Sequence, residues 1–158
     1  LAGGILATAP FHWRGDLADV DALVREVLVR GMLAPMPGRQ DVASLARWLD
    51  AIPARPAASR GEAAARGEAL FRSEATGCAT CHGGPAHTNN QTVDVGTGAA
   101  YQVPSLRGVR WRPPYMHDGC AATLRDRFGR CGGGDLHGRT GHLSGAEIDD
   151  LVAYMESL

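Results

Sequence analysis

Cys78-Ala79-Thr80-Cys81-His82 is the stretch on which the reading of this chain turns. It spells C-x-x-C-H, the attachment signature of a c-type haem. Two thiols three positions apart on one helical turn can each add to a vinyl group of the porphyrin. The next residue presents an imidazole to the iron from the proximal side, so His82 is the proximal ligand. Three rival uses of the pattern fit less well. A thioredoxin-like redox pair expects a βαβ setting, and no strand signal precedes Cys78. A zinc site wants a second ligand pair at metal-site spacing, and none is present. A disulfide across two intervening residues closes a tight, strained ring.

The rest of the composition suits a small haem domain. A chain of 158 residues can bury one good core or two small ones. Net charge is −1, which gives no electrostatic case for nucleic acid or an anionic membrane surface. Aromatic residues are scarce at 6 % while glycine reaches 21 residues, so long irregular segments wrapped around a bulky cofactor are expected. No apolar run approaches the ~20 residues of a spanning helix, so no transmembrane segment is expected. The opening run, Leu1 to Pro10, is apolar but lacks the basic flank of a signal peptide. Two cysteines go to the haem. Cys120 and Cys131 are left as an even pair, which in an oxidising compartment can close a disulfide worth about 2–4 kcal/mol.

Helical periodicity organises the chain. Val20, Leu23, Val24, Val27 and Leu28 make an apolar stripe over Asp19 to Arg30. Val42, Leu45, Leu49 and Ile52 repeat it over Asp41 to Ile52, and Pro53 and Pro56 then open a linker. A third helix, about Gly61 to Ser73, leads into the haem motif. Gly83 to Tyr101 is rich in Gly, Asn and Thr and reads as loop, and Thr123 to Phe128 as a short helix. Ser144 and Glu147 form a capping box ahead of the last helix, which carries Ile148, Leu151, Val152, Met155 and Leu158. Few segments alternate as strands do, so the expected fold is all-α with long loops.

The chain also echoes itself. Ala9-Pro10-Phe11-His12-Trp13-Arg14-Gly15 parallels Pro113-Pro114-Tyr115-Met116-His117-Asp118-Gly119, and each run is followed at a distance by an amphipathic helix. Residues 61–158 then read as a cytochrome c-type haem domain. Residues 1–56 read as the tail of a first, degenerate cytochrome c-like domain without its own haem motif.

Gly67-Glu68-Ala69-Leu70-Phe71, the C-x-x-C-H motif, Val103-Pro104-Ser105-Leu106-Arg107-Gly108-Val109, Pro114-Tyr115-Met116-His117-Asp118-Gly119 and Thr123-Leu124 together resemble the di-haem cytochrome c peroxidase and MauG-like family. The resemblance covers about Gly61 to Leu158, with Ala9 to Pro53 similar to the tail of the family's first haem domain. It implies two cytochrome c folds, one haem for electron transfer and one for reaction with hydrogen peroxide. It also implies a periplasmic or otherwise extracytoplasmic location and a calcium ion between the domains. This chain departs from the pattern in carrying one C-x-x-C-H, hence one covalent haem c. A second departure is that the family's distal-ligand position, fourteen residues after His117, holds Cys131. A Cys120–Cys131 disulfide is expected there rather than a thiolate ligand.

The distal ligand therefore has to come from elsewhere, and His137, Met116, His142 and Met155 are the candidates. His137 leads, because it lies in the loop Gly132-Gly133-Gly134-Asp135-Leu136-His137-Gly138, shortly before the last helix. Met116 is second, and otherwise packs against the haem as a wall. Met155 sits on the apolar stripe and His142 in a solvated loop. An open site is the remaining alternative. His117 and Asp118 are candidates for proton transfer near the haem edge, against the plainer reading of a hydrogen-bonded turn. Arg107 and Arg110 are candidates for pairing with haem propionates, and Gly67 for close approach of the third helix to the last. The expected activity is one-electron transfer with a redox partner protein or small electron donor. Peroxide reduction at an open iron and a non-catalytic haem-bearing interaction domain are the alternatives.

Overall fold

The computed structural model describes residues 3–158; Leu1 and Ala2, at the head of the apolar opening run, lie outside the described residues. After a short 3-10 turn at Ile5–Thr8, helix α1 (Val20–Val24) starts on Asp19, whose carboxylate accepts the Ala22 amide at 2.8 Å. Beyond Val24 the helix widens to π geometry over Arg25–Gly31, so the expected helix changes its winding halfway along. Helix α2 (Arg39–Ala51) follows. Val20, Val24 and Val42 from these helices form a small core of their own, with Phe11 and Leu45 against it.

Helix α3 (Glu62–Arg72) leads through a turn into the single-turn helix α4 (Cys78–Cys81). The last helix, α5 (Gly145–Glu156), begins at the expected capping box: Ser144 and Glu147 each accept the other's backbone amide. Helices α3 and α5 cross tightly. A β-carbon on Gly67 would overlap the Asp150 carbonyl and crowd Tyr154, so the close approach expected of Gly67 is what the structure shows. Phe71 and Tyr154 pack with ring centres 5.1 Å apart, beside fully buried Leu151. Met155 faces inward with Val109 and Leu124, as its place on the stripe predicts.

Two segments differ from expectation. The stretch read as loop after Gly83 holds a hairpin, β1 (Thr92–Asp94) antiparallel to β2 (Ala100–Gln102), with Val93 opposite Tyr101. Three residues per strand are too few for alternation to stand out in the sequence. The expected short helix after Thr123 is a 3-10 turn, Arg125–Phe128, because Asp126 turns back to accept the Thr123 amide and hydroxyl, both at 2.8 Å.

The sequence echo is a geometric one in its turns. Ala9-Pro10 and Pro113-Pro114 are both cis; His12 and Met116 both have φ 69°. Phe11 bridges Leu17, and Tyr115 bridges Ala121, in the same antiparallel sense. The first of these turns lies on the hairpin: the Gln102 amide donates to the Trp13 carbonyl at 2.8 Å, and the Trp13 ring meets Tyr101 edge-on at 6.5 Å.

Candidate haem-binding site

The attachment turn is held by what precedes it. Thr76 is fully buried, and its hydroxyl donates to the Leu70 carbonyl at 2.6 Å, which folds the chain back at the end of α3. Gly77 then takes φ 72°, a left-handed conformation that reverses the chain into α4. One helical turn puts the Cys78 and Cys81 thiols in reach of a common partner, and both are free. The His82 amide donates to Cys78, which caps the turn. His82 Nδ1 lies 3.3 Å from the His87 carbonyl. A carbonyl only accepts, so Nδ1 carries the proton and Nε2 keeps its lone pair.

His137 is delivered by a loop fastened at both ends. On its N-terminal side, Cys120 and Cys131 are joined in a disulfide with Cα atoms 5.7 Å apart, as expected. Gly133, at φ 75°, passes so close to the Val95 carbonyl at the hairpin tip that a β-carbon would overlap it. On the C-terminal side, Asp135 accepts the amides of Thr140 (2.9 Å) and Gly141 (2.8 Å). Arg139 then latches the loop to the turn before Cys78. Its amide donates to Thr76, and its guanidinium to the carbonyls of Ala75 (2.9 Å) and Glu74 (2.5 Å).

These constraints bring His137 opposite His82, with ring centres 6.3 Å apart and planes 34° from parallel. A metal–imidazole bond is about 2.0–2.1 Å, and roughly an ångström more separates each nitrogen from its ring centre, so one metal ion between two imidazoles needs just over 6 Å. The spacing fits. Both rings are neutral at physiological pH. Burial, opposed by the His87 carbonyl, pushes His82 down to about 4, with the Arg127 charge adding to the fall. Burial pushes His137 down to about 3, helped by Arg127 and His82. His137 Nδ1 is buried with no hydrogen-bond partner among the described residues. Two free thiols on one turn and two unprotonated imidazoles face to face are donors that fit a covalently held haem.

The other candidates have other partners. Met116 is half-buried in the cis-proline turn. His117 stacks on Tyr101 at 4.1 Å and meets Trp13 edge-on at 6.3 Å, while Asp118 accepts the Cys120 amide at 3.0 Å. His117 thus serves the junction with the first turn, and Asp118 closes its own turn. Arg107 donates to the Pro85 carbonyl at 3.0 Å, bracing the loop after His82, and Arg110 lies against the Trp111 ring. His142 is exposed. Among the described residues no group of three or more His, Cys, Asp or Glu side chains is gathered as a cation cage. Sequence reasoning missed Arg127 and Arg139. Nothing in their neighbours singles out either one, since an arginine's latch shows only once the carbonyls it meets are in place.

Comparison with known proteins supports a covalently bound haem c. The family model described as "Cytochrome C oxidase, cbb3-type, subunit III" matches residues 62–155. The chain is 41 % identical over 59 residues to hydrazine synthase subunit gamma of Kuenenia stuttgartiensis, a match covering 37 % of this chain and 17 % of that protein. It is 42 % identical over 65 residues to the cytochrome-c peroxidase IdrP1 of Denitromonas iodatirespirans, again over 37 % and 17 % of the two. The chain thus spans less than a fifth of these relatives. A solved structure of Kuenenia stuttgartiensis hydrazine synthase superposes with TM-score 0.88 at 22 % identity, covering 99 % of this chain and 70 % of that one. A MauG-like protein associated with microbial copper homeostasis superposes with TM-score 0.69 at 17 % identity, covering 99 % and 71 %. Both structural likenesses speak to the fold, which is cytochrome c-like. The sequence matches bear out the resemblance to the di-haem cytochrome c peroxidase and MauG-like family.

Proposed function

Since the chain belongs to the c-type cytochrome family whose model spans residues 62–155, we propose that it is a one-electron carrier with a six-coordinate, bis-histidine haem c. The observation that carries this reading is the 6.3 Å spacing of the His82 and His137 rings. When bound, the haem supplies Fe(III)/Fe(II) cycling. Cys78 and Cys81 would anchor it through thioether bonds. His82, its Nδ1–H turned to the His87 carbonyl, has Nε2 free to bind the iron. His137, across from His82, would be the second imidazole to hold it. Arg107 steadies the loop behind His82 through Pro85. The first turn and helices α1 and α2 are the tail of a first cytochrome c-like domain, docked on the haem domain through Trp13, Tyr101 and His117. The electron is exchanged with a redox partner protein in an extracytoplasmic compartment, where the Cys120–Cys131 disulfide persists.

The absorption and electron paramagnetic resonance spectra of the ferric, haem-loaded protein test this. A low-spin species that does not bind peroxide or cyanide rapidly is expected. A high-spin ferric spectrum with fast peroxide binding would replace this reading with the peroxidase one.

A further inference from the structure

We infer that Arg127 is a fixed cation at the edge of the haem site that raises the reduction potential of the haem. The inference rests on the bis-histidine reading, and its test separates the two.

Arg127 belongs to the 3-10 turn Arg125–Phe128, inside the segment closed by the Cys120–Cys131 disulfide and shortly before the His137 loop. Its side chain turns inward over the Phe128 ring, with Cζ 4.7 Å from the ring centre. Nη2 comes within 3.8 Å of the point where Gly138 would carry a β-carbon, and Cys78 Sγ lies 3.6 Å from that same point. The guanidinium thus lies beside the residue after the distal histidine, in the neighbourhood of the first attachment cysteine. Arg25, Arg30, Arg60, Arg66, Arg72 and Arg125 all pair with carboxylates, but among the described residues no carboxylate pairs with Arg127. No side-chain hydrogen bond from it is formed among them either. A half-buried cation without a counter-charge is costly unless something at the site uses it.

It lies beside Cys78 and the residue after His137, so its charge reaches the space between the His82 and His137 rings. The same field opposes positive charge on an iron held between them. Ferric iron carries one more positive charge than ferrous, so Arg127 favours the reduced state. A methionine in the distal position raises the potential of a c-type haem, and two histidines forgo that gain. A cation at the porphyrin edge restores part of it by electrostatics, less screened than a fully exposed charge because Arg127 is half-buried.

The test is potentiometry of the haem-loaded protein. In R127Q the ferrous-to-ferric ratio at a fixed solution potential should fall by about tenfold, and R127K should stay near the parent. R127H gives a switchable charge: its midpoint should step downward as pH rises through the imidazole range, where the parent shows no such step. Should R127Q not fold, R127H carries the decision. An unmoved midpoint in a low-spin R127Q, or an R127H profile that follows the parent, overturns the inference. A high-spin parent would instead overturn the bis-histidine reading.

Discussion

His137 is where chemistry narrows to one side chain. Its ring faces His82, and among the described residues its Nδ1 has no hydrogen-bond partner. H137A should open the distal face, convert low-spin ferric haem to high-spin, and admit peroxide or cyanide; M116A should leave the spectrum alone. The reverse result, conversion by M116A only, would make Met116 the ligand. At the other face, the double variant C78A/C81A should bind haem only non-covalently, so that acidified organic solvent extracts it. Retention of covalent haem would contradict the attachment reading. Of these residues, Cys78, Cys81 and His82 were readable in sequence because their chemistry depends on spacing along one turn. His137 was readable only as one of several, since its role depends on where a glycine-rich loop is pinned. Arg127 and Arg139 carried no signal, because the carbonyls that hold Arg139 and the attachment turn that Arg127 lies near are distant in the chain.

Helices α3 and α5 show what a single element contact contributes. Gly67 lets the helix backbones approach, and G67A should lower stability by about 1–3 kcal/mol as the helices are forced apart, even though alanine favours helix. Thermal unfolding of the haem-loaded protein checks this; a rise in Tm would mean the contact yields. The same helices are joined by Arg66, whose guanidinium donates twice to Asp150 at 2.8 Å. The hydrogen bond from Arg66 holds the Asp150 carboxyl below its usual value. A depressed folded pKa means the stabilisation is present above the unfolded value of about 3.9 and is lost as pH falls through the folded one. The Tm difference between parent and D150N should therefore stay constant from neutral pH to about 5 and close in stronger acid. A difference that grew with acidity would refute the pairing. The helices were legible because their stripes are long. The hairpin was not, with three residues in each strand, and the π winding of Arg25–Gly31 leaves no mark in an apolar pattern shared with ordinary helices.

At the scale of the molecule, the disulfide and the latch set the distal side together. Cys120 and Cys131 close a loop with a sequence separation of 11. Removing that closure, as C120S/C131S or by reduction, should cost about 3 kcal/mol. It should also let a high-spin fraction appear as the His137 loop loosens. An unchanged Tm and spectrum would show the loop to be held by its hydrogen bonds alone.

The Arg139 latch also bears on how such a protein is made. Its bonds run to Glu74, Ala75 and Thr76, directly before Gly77 and Cys78. The loop that closes the distal side is thus fastened to the segment that must present its thiols for attachment. In the latched structure both thiols stay partly exposed. The latch therefore ties the distal side to the proximal one without closing off the attachment turn. Loss of Arg139 should accordingly be felt in retention of the distal ligand and not in the yield of attached haem.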